Sequence, residues 1–385
     1  MLEKAFSGSK RYWSWVIFLL VLIGIGFGSY LYQLNKGLAV TGMSRDVSWG
    51  LYIGQFTFFV GVAASAVMVV LPYYLHNVKE FGRITVFGEF LAIAAVTMCL
   101  LFIIVDLGKP MRLFNVLIYA TPHSIMFWDM IVLNGYLLLN ILIGWNVLEA
   151  ERNAVAPPKW VKKLVYVSIP WAVSIHTVTA FLISGLPGRH YWLTSIMAAR
   201  FLASAFAAGP ALLIILSLIV KKFTKFNPGE TAIKKLALIV TYATIISIFF
   251  VILEFFTAFY SNIPSHMHSL EYLFAGLEGH SNMVPFMWMF AVLAVIAMVL
   301  LINPGTRNKE NTLLIACIAV FVSMMLEKGL GLIIGGFIPN AFEKVTEYAP
   351  TLPELLITLG VWAIGAFILT ILYKVAVSVK EEVRA

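Results

Sequence analysis

Ionisable side chains recur within the long apolar stretches of this sequence, where a charge is costly and tends to mark a functional site. The candidates for proton exchange or ion pairing are Asp106, His123, His176, Arg200 and Glu254. Burial or a neighbouring cation can tune carboxylate and imidazole groups to exchange protons near neutral pH, and Arg200 is the expected partner of Asp129 or Glu254. These residue types together predict a proton-handling cavity rather than scattered charges at helix ends.

A quinol is the ligand that such a cavity would suit. Its ring needs apolar and aromatic walls, and its two hydroxyls need acceptors that take the protons as the electrons leave. Further side chains that could line the walls or bind the hydroxyls are Trp49, Tyr52, Gln55, Trp128 and Asp129. The sequence carries no motif for a nucleotide, a flavin, an iron–sulfur cluster or a covalent haem, and only His176 lies well inside an apolar stretch. We therefore expect a bound quinone, and no haem, iron–sulfur cluster or other metal in this chain.

The composition of the 385 residues sets the environment of these side chains. Hydrophobic residues make up 61% and charged residues only 12%, with a mean hydropathy of +0.92. Soluble domains are roughly 45–50% apolar and about 25% charged. The chain is therefore expected to be neither a cytosolic enzyme, nor a nucleic-acid binder, nor disordered. It is predicted to be a polytopic membrane protein.

Ten apolar runs are each long enough to cross the roughly 30 Å hydrocarbon core of a bilayer as a helix. They predict an all-α protein with ten transmembrane helices, at residues 13–34, 49–75, 84–105, 125–148, 161–183, 192–220, 236–260, 284–302, 312–334 and 354–376.

The loops between these runs predict the orientation. Nineteen Lys and Arg residues fall on the side that holds both termini, and six fall on the other side. Because basic loops stay in the cytoplasm, both termini are expected to be cytoplasmic, and the protein to be a multi-pass protein of the cell membrane. This bias also accounts for most of the net charge of +8.

With this orientation most of the ionisable candidates lie in the outer half of the bilayer. Glu89, with His76 nearby, lies on the inner side, where a path through them would let the protein translocate protons. Glu327 and Lys328 are neighbours in the ninth run, and we expect them to neutralise each other.

A weak internal repeat suggests how the helices are grouped. His123 and Ser124 recur as His280 and Ser281, and Asp106 near the end of the third run matches Glu254 near the end of the seventh. The offset of four runs predicts two four-helix bundles followed by two additional C-terminal helices. The predicted units are residues 1–150, 151–305 and 306–385.

Several motifs resemble those of a known family of quinone-interacting membrane subunits, the NrfD/polysulfide reductase type. The motifs are 106–112 (DLGKPMR), 122–126 (PHSIM), 176–181 (HTVTAF), 186–189 (LPGR) and 200–210 (RFLASAFAAGP). The resemblance covers the second to the eighth run. The ten-helix length is similar to the longer DsrP branch of that family, which serves a complex of sulfur metabolism.

The resemblance implies a redox role without a redox cofactor in the chain. Such subunits bind menaquinone or ubiquinone near the outer face and dock an exported, ferredoxin-like iron–sulfur subunit there, with further cytochrome and membrane subunits in the complex. Asp106, His123, His176 and Arg200 fall within the matching motifs. Glu254 and Asp129 are inferred from depth alone, and a small residue is common in the family where Asp129 stands.

Two other functions remain open from the sequence. A secondary transporter also has repeats and buried charges, although its substrate usually binds near the bilayer midplane at broken helices. A passive anchor would only hold a partner subunit. The preferred interpretation is a quinone-reactive subunit of a respiratory redox complex, with no electron-transfer activity of its own outside that complex.

Overall fold

The computed structural model describes residues 1–383, so that Arg384, one of the basic residues of the C-terminal tail, lies outside the described residues. No β-strand occurs within that range. Ten helices are long and apolar enough to span a membrane, which confirms the predicted number and the all-α fold class. They are α1 Lys10–Lys36, α2 Leu51–Leu75, α3 Thr85–Asp106, α4 Ile125–Arg152, α5 Lys159–Ser184, α6 Met197–Phe223, α7 Glu230–Ser261, α8 Val284–Ile302, α9 Glu310–Gly335 and α10 Leu352–Glu382.

Both ends of the described chain lie on one face of the helix bundle. Lys4, before α1, forms an ion pair with Glu382 at the end of α10. We call this end of the molecule the terminal face and the opposite end the far face. The far face carries the ends of the odd-numbered helices, the starts of the even-numbered ones, and the short helix Pro264–Phe274 between α7 and α8. The assignment of the terminal face to the cytoplasm stays a prediction.

Helix contacts form two groups of four. Helices α2 to α5 pack in a closed ring, and so do α6 to α9, whereas α1 packs mainly on α10 and α10 on α3. This grouping begins one helix later than the predicted division at residues 150 and 305. The repeated residues lie in α3 and α4 and in α7 and α8, which keep the same offset in either grouping, so the repeat could not decide where α1 belongs.

Glycines bring α1 and α10 together. A Cβ atom on Gly26 would lie 2.6 Å from the Cα atom of Gly360, and the reverse substitution would meet Gly26 in the same way. Small residues allow such close backbone approach between membrane helices. This contact explains why the first and last helices form a pair outside both bundles.

The two bundles meet along α2, α5, α6 and α9. Regular helix geometry is broken twice at this interface. A turn at Ala64 divides α2 into Leu51–Ala63 and Ser65–Leu75, and α9 contains a π-helical stretch, Met325–Gly331. Such irregular stretches are frequent at functional sites, because they redirect side chains and free backbone groups.

Candidate functional site

A buried ion pair connects α6 and α9 of the second bundle near the far face. The guanidinium of Arg200, near the start of α6, donates to a carboxylate oxygen of Glu327 in the π-helical stretch of α9. Both side chains are about 4% exposed. Arg200 Nη2 also donates to the hydroxyl of Tyr191, at 3.3 Å. The expected partners of Arg200 were Asp129 or Glu254; the structure places Glu327 there instead.

Glu254 lies close to this pair without joining it. Thr194, in the loop before α6, donates from its hydroxyl to Glu254 Oε1 at 3.0 Å. The same loop carries Tyr191, so one short segment contacts both Arg200 and Glu254. Glu254 is half-buried. Its other carboxylate oxygen, Oε2, accepts no hydrogen bond from the described residues and is available to a ligand.

A cavity of about 340 Å³ opens beside this segment at the far face. Its lining combines three hydroxyl-bearing residues with four apolar ones: Phe181, Ser184, Leu193, Thr194, Ser195, Met197 and Ala198. Two of the apolar lining residues, Phe181 and Leu193, are exposed at the outer surface of the bundle. An apolar cleft with a few placed polar groups is the usual form of a small-molecule site.

Burial shifts the pKa of two side chains in this loop, Tyr191 and Arg189. Burial raises the pKa of the Tyr191 phenol above its ordinary value, although the adjacent Arg200 lowers it. Tyr191 is therefore neutral and can donate its own proton in a hydrogen bond. Burial lowers the pKa of the Arg189 guanidinium, which stacks over the ring of Phe337 with its Cζ atom 4.2 Å from the ring centroid.

Lys328 does not neutralise Glu327, contrary to expectation. Its ammonium lies 3.4 Å from the backbone carbonyl oxygen of Phe201 and 3.9 Å from the centroid of the Phe201 ring. The π-helical stretch directs the two adjacent side chains to different partners on α6, so that Glu327 pairs with Arg200.

His176 and Asp129 lie in the first bundle, one helical turn apart in depth. Asp129 of α4 accepts a hydrogen bond from Thr179 of α5 at 2.6 Å, and both side chains are buried. His176, one turn before Thr179, is fully buried, with Nδ1 2.6 Å from the carbonyl oxygen of Ala172. Within residues 1–383, His176 Nε2 has no hydrogen-bond partner.

Tyr52, Gln55 and Asp106 belong to a separate polar group between α1, α2, α3 and α10. The hydroxyl of Tyr52 donates to Gln33 at 2.7 Å, and the indole nitrogen of Trp362 donates to Gln55 at 3.1 Å. Asp106 forms no ion pair with the nearby Lys109 or Arg112 in the described part of the chain, and its buried Oδ1 has no hydrogen-bond partner there.

Glu354, at the start of α10, completes this group and was missed from the sequence. Its carboxylate accepts from the Tyr348 hydroxyl at 2.8 Å and from the backbone N–H groups of Gly42 and Thr351 at 2.7 and 2.8 Å. It is fully buried. Glu354 is the first residue of the tenth predicted run, and nothing in that position indicated these partners.

Trp49, His123 and Trp128 are not brought together with the ionisable groups. Trp49 stacks on Trp192, with ring centroids 5.8 Å apart, at the far end of the bundle interface. His123 is exposed in the loop before α4, and Trp128 is half-exposed with its indole nitrogen bonded to the carbonyl of Pro122.

Only part of the predicted set therefore converges. The loop before α6 links Arg200 and Glu254, while Asp129 and His176 lie deeper in the first bundle. The sequence predicted the wrong partner for Glu327, and it did not indicate Tyr191 or Thr194. The only signal for Glu327 was a carboxylate late in the ninth run, and its cationic neighbour Lys328 obscured the pairing with Arg200.

Possible metal ligands are not grouped in residues 1–383: no three His, Cys, Asp or Glu side chains there are placed to hold an ion. The expected absence of haem and of iron–sulfur clusters stays a prediction.

Comparison with known proteins shows which family this chain resembles. A family model described as polysulphide reductase, NrfD, matches residues 39–339. One subunit of the selenate reductase of Mesobacillus selenatarsenatis is 24% identical, over 94% of this chain and 92% of its own length. The Hdr-like menaquinol oxidoreductase integral membrane subunit of Archaeoglobus fulgidus is 22% identical, over 99% and 97%. The menaquinone reductase integral membrane subunit of Nitratidesulfovibrio vulgaris is 20% identical, over 95% and 91%.

Proposed function

The chain belongs to the NrfD polysulphide reductase family, and from this premise we propose that it is the quinone-reactive membrane subunit of a redox complex. Two of its relatives are named for menaquinol or menaquinone oxidoreduction, which supports menaquinone as the bound substrate. As the resemblance to the family implies, the electrons would pass directly between the quinone and a partner subunit. We extend the predicted partner, an exported iron–sulfur subunit, to this chain as part of the proposal.

We place the quinone head group in the far-face cavity beside the loop 190–196. The single observation that carries this placement is that a cavity with exposed apolar lining residues lies next to the Thr194–Glu254 hydrogen bond. The ring would pack on Phe181 and Met197, and the isoprenoid tail would leave toward the lipid past Leu193. Serine and threonine hydroxyls would position the two quinol oxygens.

Glu254 is the proposed proton acceptor. A quinol releases two protons and two electrons on oxidation, and a positioned carboxylate takes a proton as the electrons leave. Tyr191 and Thr194, in one loop, connect Arg200 and Glu254 through hydrogen bonds. Glu327 holds Arg200 in place from the opposite side, so Arg200 and Glu327 are positioning residues in this scheme.

The remaining features of the proposal concern location. We propose that the far face is the outer one, that the membrane is the cell membrane, and that the complex is of the DsrP type. Release of quinol protons at this face would then be outward. Uptake through Glu89 on the terminal side would add proton translocation to that release.

Asp106 offers a second position for the head group. Its unpartnered Oδ1, with Tyr52 nearby in α2, favours a hydrogen-bonding ligand at the group between α1, α2, α3 and α10. The far-face cavity is preferred because the Tyr52 and Gln55 side chains are already bonded to Gln33 and Trp362.

Quinol binding to the purified protein tests the site. We expect Glu254→Gln to weaken binding of a menaquinol analogue by roughly 10- to 150-fold, the effect of losing one charge-assisted hydrogen bond of about 1.5–3 kcal/mol. Glu278→Gln is the matched control, because Glu278 is an exposed far-face carboxylate. Equal binding by both variants, with weaker binding by Asp106→Asn, would move the site to the second position.

The alternative functions predict other outcomes of the same titration. A passive anchor would show no saturable quinol binding in any variant. A secondary transporter would accumulate a solute in vesicles without its partner subunits, whereas the proposed quinone-reactive protein would not.

A further inference from the structure

We propose that Lys328 is the proton-exchanging group at the interface of the two bundles, and that it passes protons to and from His176 across Gly61. This inference rests on the proposed function, since quinol oxidation would supply the protons. It concerns a residue to which the proposed quinone site gives no role.

The charge of Lys328 is weakly compensated. The side chain is 2% exposed, and its ammonium contacts one backbone carbonyl and one aromatic ring, both of Phe201. Within the described chain it forms no ion pair, whereas the adjacent Glu327 is bound to Arg200. A guanidinium keeps its proton in proteins, but an amine can lose it, so Lys328 is the buried cation here that can exchange.

Gly61 of α2 separates Lys328 from His176. A Cβ atom at Gly61 would lie 3.4 Å from Lys328 Nζ, so the ammonium reaches the α2 backbone at this point. The imidazole of His176 faces the same backbone at Val60 and Gly61 from the side of α5, and His176 and Lys328 interact electrostatically. The unbonded Nε2 of His176 is the available proton acceptor.

Few other ionisable groups face this site. Glu327 lies beside Lys328 on α9, Arg200 on α6 and Cys99 on α3, while α2 presents only uncharged residues. The Arg200–Glu327 pair links Lys328 to the loop of the proposed quinone site. On the opposite side, His176 leads into the first bundle, where Asp129 lies one turn away.

The backbone around Lys328 is suited to small rearrangements. Lys328 stands in the middle of the π-helical stretch Met325–Gly331, and α2 is interrupted at Ala64, one turn beyond Gly61. π-Helical stretches are frequent at functional sites, and a small change in this one would move the ammonium relative to α2.

The transfer balances as a single proton movement. A proton leaves Nζ of Lys328 and binds Nε2 of His176, converting ammonium and neutral imidazole into neutral amine and imidazolium. The imidazolium then releases its proton toward Asp129 in the first bundle, and the neutral amine of Lys328 takes up one proton that quinol oxidation releases. No electron moves in any of these steps.

Proton counting in the reconstituted complex tests the proposal. The complete complex is purified with its partner subunits and placed in vesicles, and protons moved per electron are measured with a pH-sensitive dye during quinol oxidation. We expect Lys328→Met to oxidise quinol within about threefold of the wild-type rate, with at least a halved proton ratio. Lys344→Met, at an exposed far-face lysine, is the control and should change neither.

Lys328→Arg separates charge from proton exchange. It keeps the buried positive charge but cannot release the proton, so we expect the same reduced ratio as for Lys328→Met. The role of Lys328 is overturned if either variant moves as many protons per electron as the wild-type complex. It is also overturned if the wild-type complex moves no more protons than quinol oxidation itself releases. Failure of the proposed function is distinct, because the wild-type complex would then oxidise no quinol.

Discussion

Arg200 and Glu327 are the residues on which the local arrangement of the site depends. Their pairing sets the position of Tyr191 and separates Glu327 from its neighbour Lys328. Desolvation offsets much of the attraction within a buried ion pair, so the pair adds little net stability, although breaking it leaves an uncompensated buried charge. The main effect of the pair is therefore to fix the positions of these side chains rather than to stabilise the fold.

Removal of Arg200 should destabilise the protein strongly. We expect Arg200→Met to lower the free energy of unfolding by about 3–5 kcal/mol, because Glu327 loses its partner in an apolar interior. The double variant Arg200→Met with Glu327→Met should recover most of the loss, since neither charge remains. Thermal unfolding in detergent, followed by tryptophan fluorescence, measures both.

A surface pair supplies the control for that experiment. Lys221 and Glu310 form an exposed ion pair on the terminal face, and Lys221→Met should change the stability by less than about 1 kcal/mol. A double variant that is as unstable as the sum of its single changes would contradict a coupled Arg200–Glu327 pair.

At the scale of elements, α2 is the central helix, because it contacts both bundles. Glycines allow it to approach its neighbours closely. A Cβ on Gly54 would collide with the carbonyl oxygen of Gly329 in α9, and one on Gly209 of α6 would lie 2.9 Å from the backbone nitrogen of Ser65. Without a hydrophobic driving force between helices in lipid, such contacts give much of the association energy.

Gly54→Ala should therefore disrupt the α2–α9 contact. Forcing a methyl group against a backbone carbonyl in a packed interior is expected to lower stability by about 1–3 kcal/mol. Gly24→Ala in α1 is the matched control, because nothing lies within 4 Å of its Cβ position and alanine favours a helix by up to about 1 kcal/mol. Equal unfolding temperatures for the two variants would contradict the close approach of α2 and α9.

At the scale of the whole molecule, the structure is a ten-helix membrane protein whose two four-helix bundles meet at an irregular interface. Its outward surfaces carry exposed apolar side chains, as in Phe27, Phe249 and Val299, which suit contact with lipid. The cavity and the Arg200 pair lie toward the far face, and the excess of basic loops lies on the terminal face.

The orientation is tested by thiol labelling. Met111→Cys places an exposed thiol on the far face, and Val155→Cys places one on the terminal face. Because the native Cys99 and Cys317 are buried, a membrane-impermeant reagent should label Met111→Cys in intact cells and Val155→Cys only after permeabilisation. The reverse pattern would place the quinone site on the cytoplasmic side.

Hydropathy predicted the helices well because a helix in lipid must be apolar along most of its length. The ten predicted runs coincide with α1 to α10 within a few residues at most ends; α6 differs, since the sequence 192–196 folds as a loop and the helix begins at Met197. The packing of α1 on α10 could not be predicted from the sequence, because the Gly26–Gly360 contact joins residues more than three hundred positions apart.

The site was only partly predictable for the same reason. Burial of Arg200, His176 and Asp129 followed from their depth in apolar runs. The partner of Arg200 did not, because α6 and α9 are neighbours in space but not in sequence, and a π-helical turn decides which of Glu327 and Lys328 faces Arg200.

The central claim, that the quinone head group binds in the far-face cavity, is tested most directly by photolabelling. A menaquinone analogue with a photoreactive head group is bound to the wild-type complex, irradiated, and located by mass spectrometry of peptides. We predict labelling within residues 181–198, abolished by excess unlabelled menaquinone. Competable labelling confined to α2 and the end of α3, around Tyr52 and Asp106, would contradict the account.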